Sequence, residues 1–236
     1  MVGFDILNNM RFEKKFQLLA VVFTALAAAQ TVQAHLPCLE RGNMEITASE
    51  PEISKAYYGW LDGNPAVYSI SARKPFLLHI HLLAPKEDNS RQDYSARIYK
   101  DGELFGELNG YDYIWLVSYD PFANDYYNKG PEYETQAPAG NYKIEVYNSG
   151  NSGNYVLAVG KKEDLSLGQF LRTLAVLPGV KEEFFGKSKW GAFNNYIGLV
   201  ALAMVSVLGI IVYFIISFIR LRRLKQRLDN EYKNNR

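Results

Sequence analysis

Cysteine is almost missing from this chain. Cys38 is the only one in 236 residues, so no intrachain disulfide can form even in an oxidising compartment, and any fold must be held by its core. Histidine is nearly as scarce, with His35, His79 and His81 the full set. Gly-x-Ser-x-Gly, His-Glu-x-x-His and a phosphate-cradling glycine loop are all lacking. A Ser/His/Asp or Cys/His centre would have to be assembled from almost no candidates, so the expectation is a protein that is not an enzyme. Acid pairs such as Asp120 with Asp125 or Glu132 with Glu134 remain, but such pairs are common in loops and no cleft is implied by them.

A charge excess is missing too, since the formal net charge is only +1. That balance conceals two regions of opposite sign. Residues 220–236, "RLRRLKQRLDNEYKNNR", hold seven basic and two acidic residues, whereas residues 35–190 hold 16 basic and 21 acidic. Between them, residues 197–219 contain no charged residue, and 23 helical residues at about 1.5 Å each cross a hydrocarbon core of about 30 Å. Positive charge is retained on the cytoplasmic side of such a helix, so the tail is expected inside and the acidic region outside. The basic tail is read as a stop-transfer signal and leaflet anchor, and no nucleic-acid partner is expected.

A second apolar run lies near the start. Arg11, Lys14 and Lys15 precede the run 16–29, and Val32-Gln33-Ala34 offers the small residues a signal peptidase requires. Cleavage after Ala34 is expected; an uncleaved anchor is the competing reading, and Met10 competes with Met1 as the start. The organisation expected is therefore a signal peptide at 1–34, an extracytoplasmic β-domain at 35–160, an amphipathic helical connector at 161–192, a transmembrane helix at 193–219 and a basic cytoplasmic tail at 220–236.

Between residues 56 and 160 the pattern has period two, as in "AVYSISA", "FLLHIHLLA", "YSARIYK", "YDYIWLVSY", "NYKIEVYN" and "NYVLAVG". With "YYGWL" and "YETQA" this predicts about eight strands, separated by turn clusters such as "DGNP", "KDGE" and "NSGNSGN". Strands so closely spaced cannot be joined as parallel crossovers, which predicts a mainly β fold, an antiparallel two-sheet β-sandwich of jelly-roll-like kind. In "NYKIEVYN", Tyr142, Ile144 and Val146 are expected to face the core. "NYVLAVG" is apolar at both parities, as befits a strand covered on both faces. Beyond residue 160 the period turns helical: Ser166 is the expected N-cap, Leu167, Phe170, Leu171 and Leu174 share a face, and Pro178-Gly179 is expected to break the helix.

The stretch "APAGNYKIEVYNSGNSGNYVLAVG", residues 137–160, resembles the final hairpin of bacterial prepeptidase C-terminal-type sandwiches, in which a Gly-x-Tyr strand leads through an Asn/Gly turn to a second such strand. The whole layout is also similar to uncharacterised prokaryotic single-pass membrane-anchored proteins of this type. The resemblance implies a non-catalytic, jelly-roll-like ectodomain and supplies no catalytic residues.

Two candidate sites follow. The stretch 119–134, "YDPFANDYYNKGPEYE", is read as a loop at one end of the sandwich. It is either a lid on the core or a platform on which Tyr126, Tyr127 and Tyr133, beside Asp125 and Glu132, take a glycan or protein ligand. Phe122 is expected inward, with Pro121 and Pro131 restricting the loop's ends. Calcium held by Asp120, Asp125 and backbone carbonyls is a third reading of the same stretch. The other candidate is a copper or nickel site made by His35, His79 and His81. His79 and His81 lie on one face of a strand about 7 Å apart, and a mature N-terminal His35 would add an amine and a ring nitrogen. Nothing in the sequence brings His35 to that strand, so two surface histidines without a third ligand are the plainer expectation. Three functions remain open: a membrane-anchored binding module, a structural accessory subunit of a membrane complex, and a periplasmic metal-binding protein.

Overall fold

The computed structural model describes residues 35–40, 45–87, 90–120, 123–164 and 166–234. The expected signal peptide, Pro121 and Phe122 lie outside the described residues. Residues Val32–Tyr196 belong to one compact unit, and the helix from Ile197 belongs to another.

In the first unit, eleven strands are described: β1 (Leu36–Leu39), β2 (Ile46–Thr47), β3 (Lys55–Asp62), β4 (Ala66–Ala72), β5 (Phe76–Pro85), β6 (Ser95–Lys100), β7 (Glu103–Leu108), β8 (Leu116–Asp120), β9 (Asp125–Ala137), β10 (Gly140–Tyr147) and β11 (Ser152–Val159). They form a six-stranded sheet in the order β1-β3-β11-β5-β9-β8 and a five-stranded sheet in the order β2-β4-β10-β6-β7. The three strands beyond the expected number carry weak signals. β1 contains Pro37, tolerated because β1 is an edge strand; β2 has two residues; and β7 is interrupted by Gly106.

Pairing is antiparallel except at two edges, where β1 runs parallel to β3 and β2 parallel to β4. The chain alternates between sheets along β1, β2, β3 and β4, so each parallel pair is joined through a strand of the opposite sheet rather than through a helix. That route supplies the long connection a parallel pair needs.

The inter-sheet core takes the even-numbered residues of β5 (Leu78, Ile80, Leu82) and of β10 (Tyr142, Ile144, Val146), with Tyr68, Ile98 and Tyr155 among their neighbours. Two of its buried phenols satisfy each other, Tyr68 with Tyr155 at 2.7 Å between hydroxyls, and Tyr142 donates to Pro138 O at 2.6 Å. β11 is apolar at both parities because it is covered twice. Tyr155, Leu157 and Val159 face the inter-sheet core, while Val156 and Ala158 join a second cluster on the outer face of the larger sheet.

That second cluster is closed by the connector. Helix α1 (Leu167–Gly179) is N-capped by Ser166, whose Oγ accepts from Gln169 N–H at 3.4 Å. The α-helix ends at Gly179, where the break is expected, but the chain stays helical beyond it. Pro178 lies inside α1, and the helix widens into a π-turn (Val180–Phe184) closed by Phe185 N–H donating to Val180 O at 3.2 Å. Phe184 and Phe185 are thereby set on the outer face, Phe184 edge-on to Tyr58 at 5.0 Å and Trp60 at 5.6 Å. A short 3-10 turn (Lys189–Phe193) ends this unit's helices.

Helix α2 (Tyr196–Asn234) is long and apolar enough to cross a membrane, with a mean hydropathy of 2.9 over its most apolar window and none of that window buried. The basic stretch expected as a tail continues the same helix as far as Asn234.

Candidate functional site

The stretch 119–134 is not a loop. It is the β8–β9 hairpin, in which Tyr119 pairs with Tyr126 and Asp120 with Asp125, and β9 runs through Gly130 and Pro131 without a turn. Those two residues form a bulge: His81 pairs with Glu132 and Leu83 with Lys129, so Gly130 and Pro131 together stand opposite Leu82. The ring of Trp115 lies over Gly130, where an added Cβ would come within 2.5 Å of it, and Trp115 Nε1 donates to Gly110 O at 2.9 Å. A bulge shifts side-chain parity along its strand. Here it puts Glu132 and Glu134 on the outer face opposite His81 and His79, and turns Tyr133 inward against the inter-sheet core.

The residues expected as one platform are therefore dispersed. Tyr127 is buried, its hydroxyl 3.0 Å from that of Tyr58 and its ring edge-on to Phe185; burial pushes both phenols well above their usual pKa. Tyr133 hangs over Gly106 and donates to Phe105 O at 3.4 Å. Asp125 is buried in an ion triad with Lys181 and Lys187, and Lys181 also donates to Asn124 O at 2.9 Å. A carboxylate so occupied ties the connector to the sheet and is no part of an exposed ligand surface or a calcium site. Of the three tyrosines only Tyr126 is exposed, its ring against Tyr119 at 5.0 Å, while Glu132 is exposed at the other end of the stretch. Asp120 accepts from Ala123 N–H at 3.2 Å, closing the hairpin turn.

Two neighbouring features remain open. The first is the rim made by β8 and the loop before it, where Tyr111, Tyr113, Ile114, Leu116, Val117 and Tyr119 are exposed along with Tyr126. β8 ends the larger sheet, so the outward side of its backbone has no strand neighbour among the described residues. The sequence pattern "YDYIWLVSY" is read as one strand from Tyr111, but only Leu116–Asp120 is strand. Trp115 turns in, and the residues before it turn out.

The second is a cleft of about 330 Å³ beside that rim, lined by His35, His79, His81, Glu132 and Lys161 and walled by Tyr113 and Leu116. The three histidines do meet at one cleft. His35 arrives through the parallel β1–β3 pair, an element the sequence did not reveal. Leu36 N–H donates to Ser54 O at 2.9 Å, and His35 Nδ1 lies 2.5 Å from Ser54 Oγ. Ser54 N–H in turn bonds Lys162 O, and Gly160 N–H bonds His79 O, completing a row from β1 to β5. On the outer face Ala158 and Ala56 follow His81 across β11 and β3, where the cleft gives way to the second buried cluster.

His79 is buried, with Nε2 2.7 Å from Glu132 Oε1, and its Nδ1 has no hydrogen-bond partner. Lys161 pairs with Glu134 and lies 3.7 Å from Glu132. Burial pushes the His35 ring below its usual pKa and that of His81 down to about 4, against the pull of Glu132. Burial raises the Glu132 carboxyl, but the His79 hydrogen bond and neighbouring positive charge hold it below the usual range. His35 and His81 are thus neutral at pH 7 with Glu132 ionised beside them. The sequence points to the histidines but not to Glu132 and Glu134 as their neighbours, because only the bulge brings those two carboxylates to the outer face.

No family model and no curated protein matches the chain. Among solved structures it is similar to the pre-peptidase C-terminal domain of a collagenase from Bacillus anthracis, at 12% identity and a TM-score of 0.31, over 51% of this chain and 97% of that one. It is also similar to the catalytic domain of a GH87 α-1,3-glucanase, at 18% identity and a TM-score of 0.26, over 44% of this chain and 22% of that one. A β-glucosidase from Paenibacillus barengoltzii matches at 10% identity and a TM-score of 0.23, over 56% and 12%. No functional residue is carried over from these likenesses.

Proposed function

We propose that this protein is a membrane-anchored extracytoplasmic binding module, not an enzyme, and that it engages a protein partner through the β8 rim. The observation that carries this reading is a run of exposed aromatic and aliphatic side chains on an edge strand and the loop before it, the strand having one backbone side unpaired among the described residues. Singly scattered apolar residues need no explanation, but a contiguous exposed patch marks an interaction surface. Ile114, Leu116 and Val117 favour a protein over a glycan, since sugar rings stack on aromatic faces and gain little from branched aliphatics. An extended segment of the partner adding to β8 would satisfy its free backbone groups and set alternate side chains against the patch.

The orientation follows the charge asymmetry across residues 197–219, with the sandwich outside and the basic end of α2 inside. Protease added to intact spheroplasts is expected to digest the sandwich and spare an epitope placed after residue 234; digestion of that epitope reverses the orientation. Affinity capture from detergent-solubilised membranes tests the rim. The wild type is expected to retain a partner that Val117→Lys loses while keeping its melting temperature. Retention of the same partner by Val117→Lys, with loss only on altering α2, moves the contact to the membrane helix and supports an accessory subunit instead.

A further inference from the structure

We propose that the floor of the cleft is a binding site for a divalent transition-metal ion, held by His79, Glu132 and Glu134, with Lys161 as the cation the metal displaces. The proposal is independent of the rim reading, although Tyr113 and Leu116 wall both features. One ligand atom from each of His79, Glu132 and Glu134 lies within 4.8 Å of the others. An ion at their centre needs only small side-chain movements to reach bonding distances of about 2.0–2.2 Å.

Three further observations point to an ion rather than to a surface ion pair. First, the carboxylates are placed by a backbone irregularity: without the Gly130-Pro131 bulge, Tyr133 and not Glu134 would stand opposite His79, and Pro131 and not Glu132 opposite His81. Second, the His79 ring is buried with Nε2 at Glu132, and its Nδ1 has no partner among the described residues, so no second hydrogen bond competes for the orientation of the ring. Third, His35 and His81 open onto the same cleft, and Ser54 already fixes one nitrogen of His35, as second partners fix metal-bound imidazoles. These two rings border the cleft outside the group of three whose ligand atoms lie mutually within 4.8 Å.

The donor set selects the class of ion. Imidazole with carboxylates suits zinc, copper or nickel, whereas calcium takes six to eight oxygens and gains nothing from imidazole. Asp125, the carboxylate expected to serve a metal, is held by Lys181 and Lys187 and takes no part. Lys161 sits where the ion's charge would act, paired with Glu134 and near Glu132, so metal and ammonium compete for the same oxygens.

The test uses the untagged full-length chain in detergent micelles, stripped with chelator and titrated with Zn²⁺, with Cu²⁺ as a spectroscopic probe. One equivalent of Zn²⁺ is expected to bind and raise the melting temperature, and the Cu²⁺ spectrum is expected to show nitrogen couplings from imidazole. Glu132→Gln is expected to weaken Zn²⁺ at least about 10-fold, the scale on which metal sites respond to loss of supporting groups. His79→Ala removes the buried ligand and is read only where the variant folds; Glu132, whose side chain is 46% exposed, keeps the test open. Lys161→Met is expected to tighten Zn²⁺, a gain that a merely structural role for Lys161 does not produce. The proposal is overturned if the wild type binds no Zn²⁺, if Glu132→Gln binds it as tightly, or if the Cu²⁺ spectrum lacks nitrogen couplings.

Discussion

The outer face of the larger sheet has two ends that start from similar chemistry and finish differently. At one end a carboxylate, Asp125, meets two lysines beneath Phe184 and Phe185, and each group of the triad is engaged. At the other, Glu132 and Glu134 meet a buried histidine and Lys161 in an open cleft, and one nitrogen of that histidine is unmatched. Both clusters join β9 to other parts of the chain, so charge and location alone do not tell them apart. Polar satisfaction does. A closed and satisfied cluster fixes structure, whereas an open cluster with unmet bonding capacity is where a ligand can add free energy.

The largest effects are expected at the closed end. Asp125→Ala leaves the Lys181 ammonium buried without its carboxylate, and breaking a buried pair in this way costs about 3–5 kcal/mol. Thermal or denaturant unfolding of the full chain reads this directly, and a loss below about 1 kcal/mol would make the triad incidental. Tyr127→Ala removes a buried ring and strands the Tyr58 hydroxyl, with an expected loss of about 3–5 kcal/mol. Its neighbour sharpens the contrast: Tyr126→Ala, at the exposed rim, is expected to stay within about 0.5 kcal/mol. Equal losses at the two tyrosines would erase the distinction between lid and rim.

A small, pH-dependent effect is expected at a cluster outside both ends. Arg91 donates to Asp93 and to Ser149 and Ser152 of the β10–β11 turn, and chiefly its hydrogen bond holds the Asp93 carboxyl below the usual value of 3.8. A carboxyl lowered by folding contributes stability above its unfolded pKa and loses it as pH falls through the folded one. Asp93→Asn is therefore expected to cost no more than about 1 kcal/mol at pH 7 and nothing at a pH well below 3.8. A cost that persists in acid assigns the effect to the turn's geometry and not to charge.

Much of the architecture was legible from periodicity. The two-sheet class, the inward set Tyr142, Ile144 and Val146, the doubly covered β11 and the Ser166 cap all follow from local pattern, because alternation and capping are local physics. What was missed depends on partners distant in sequence. Gly130-Pro131 carries the composition of a turn, and only pairing with β5 makes it a bulge. His35 reaches the other histidines only because β1 pairs in parallel with β3, through a crossover that no window of sequence displays. Pro178 reads as a helix stop, yet packing of Phe184 and Phe185 carries the turns past it.

The edge strands β8 and β7 offer the most direct test of the binding reading, since both carry exposed apolar residues but those of β8 and the loop before it are many and close in sequence. A photocrosslinking residue is placed at Val117 on β8 or at Leu104 on β7, in full-length protein in intact cells, and adducts are compared after irradiation. The account predicts a discrete protein adduct from Val117 that Leu116→Lys abolishes, and none from Leu104. Equal yields from both positions, or no adduct from Val117, would contradict it.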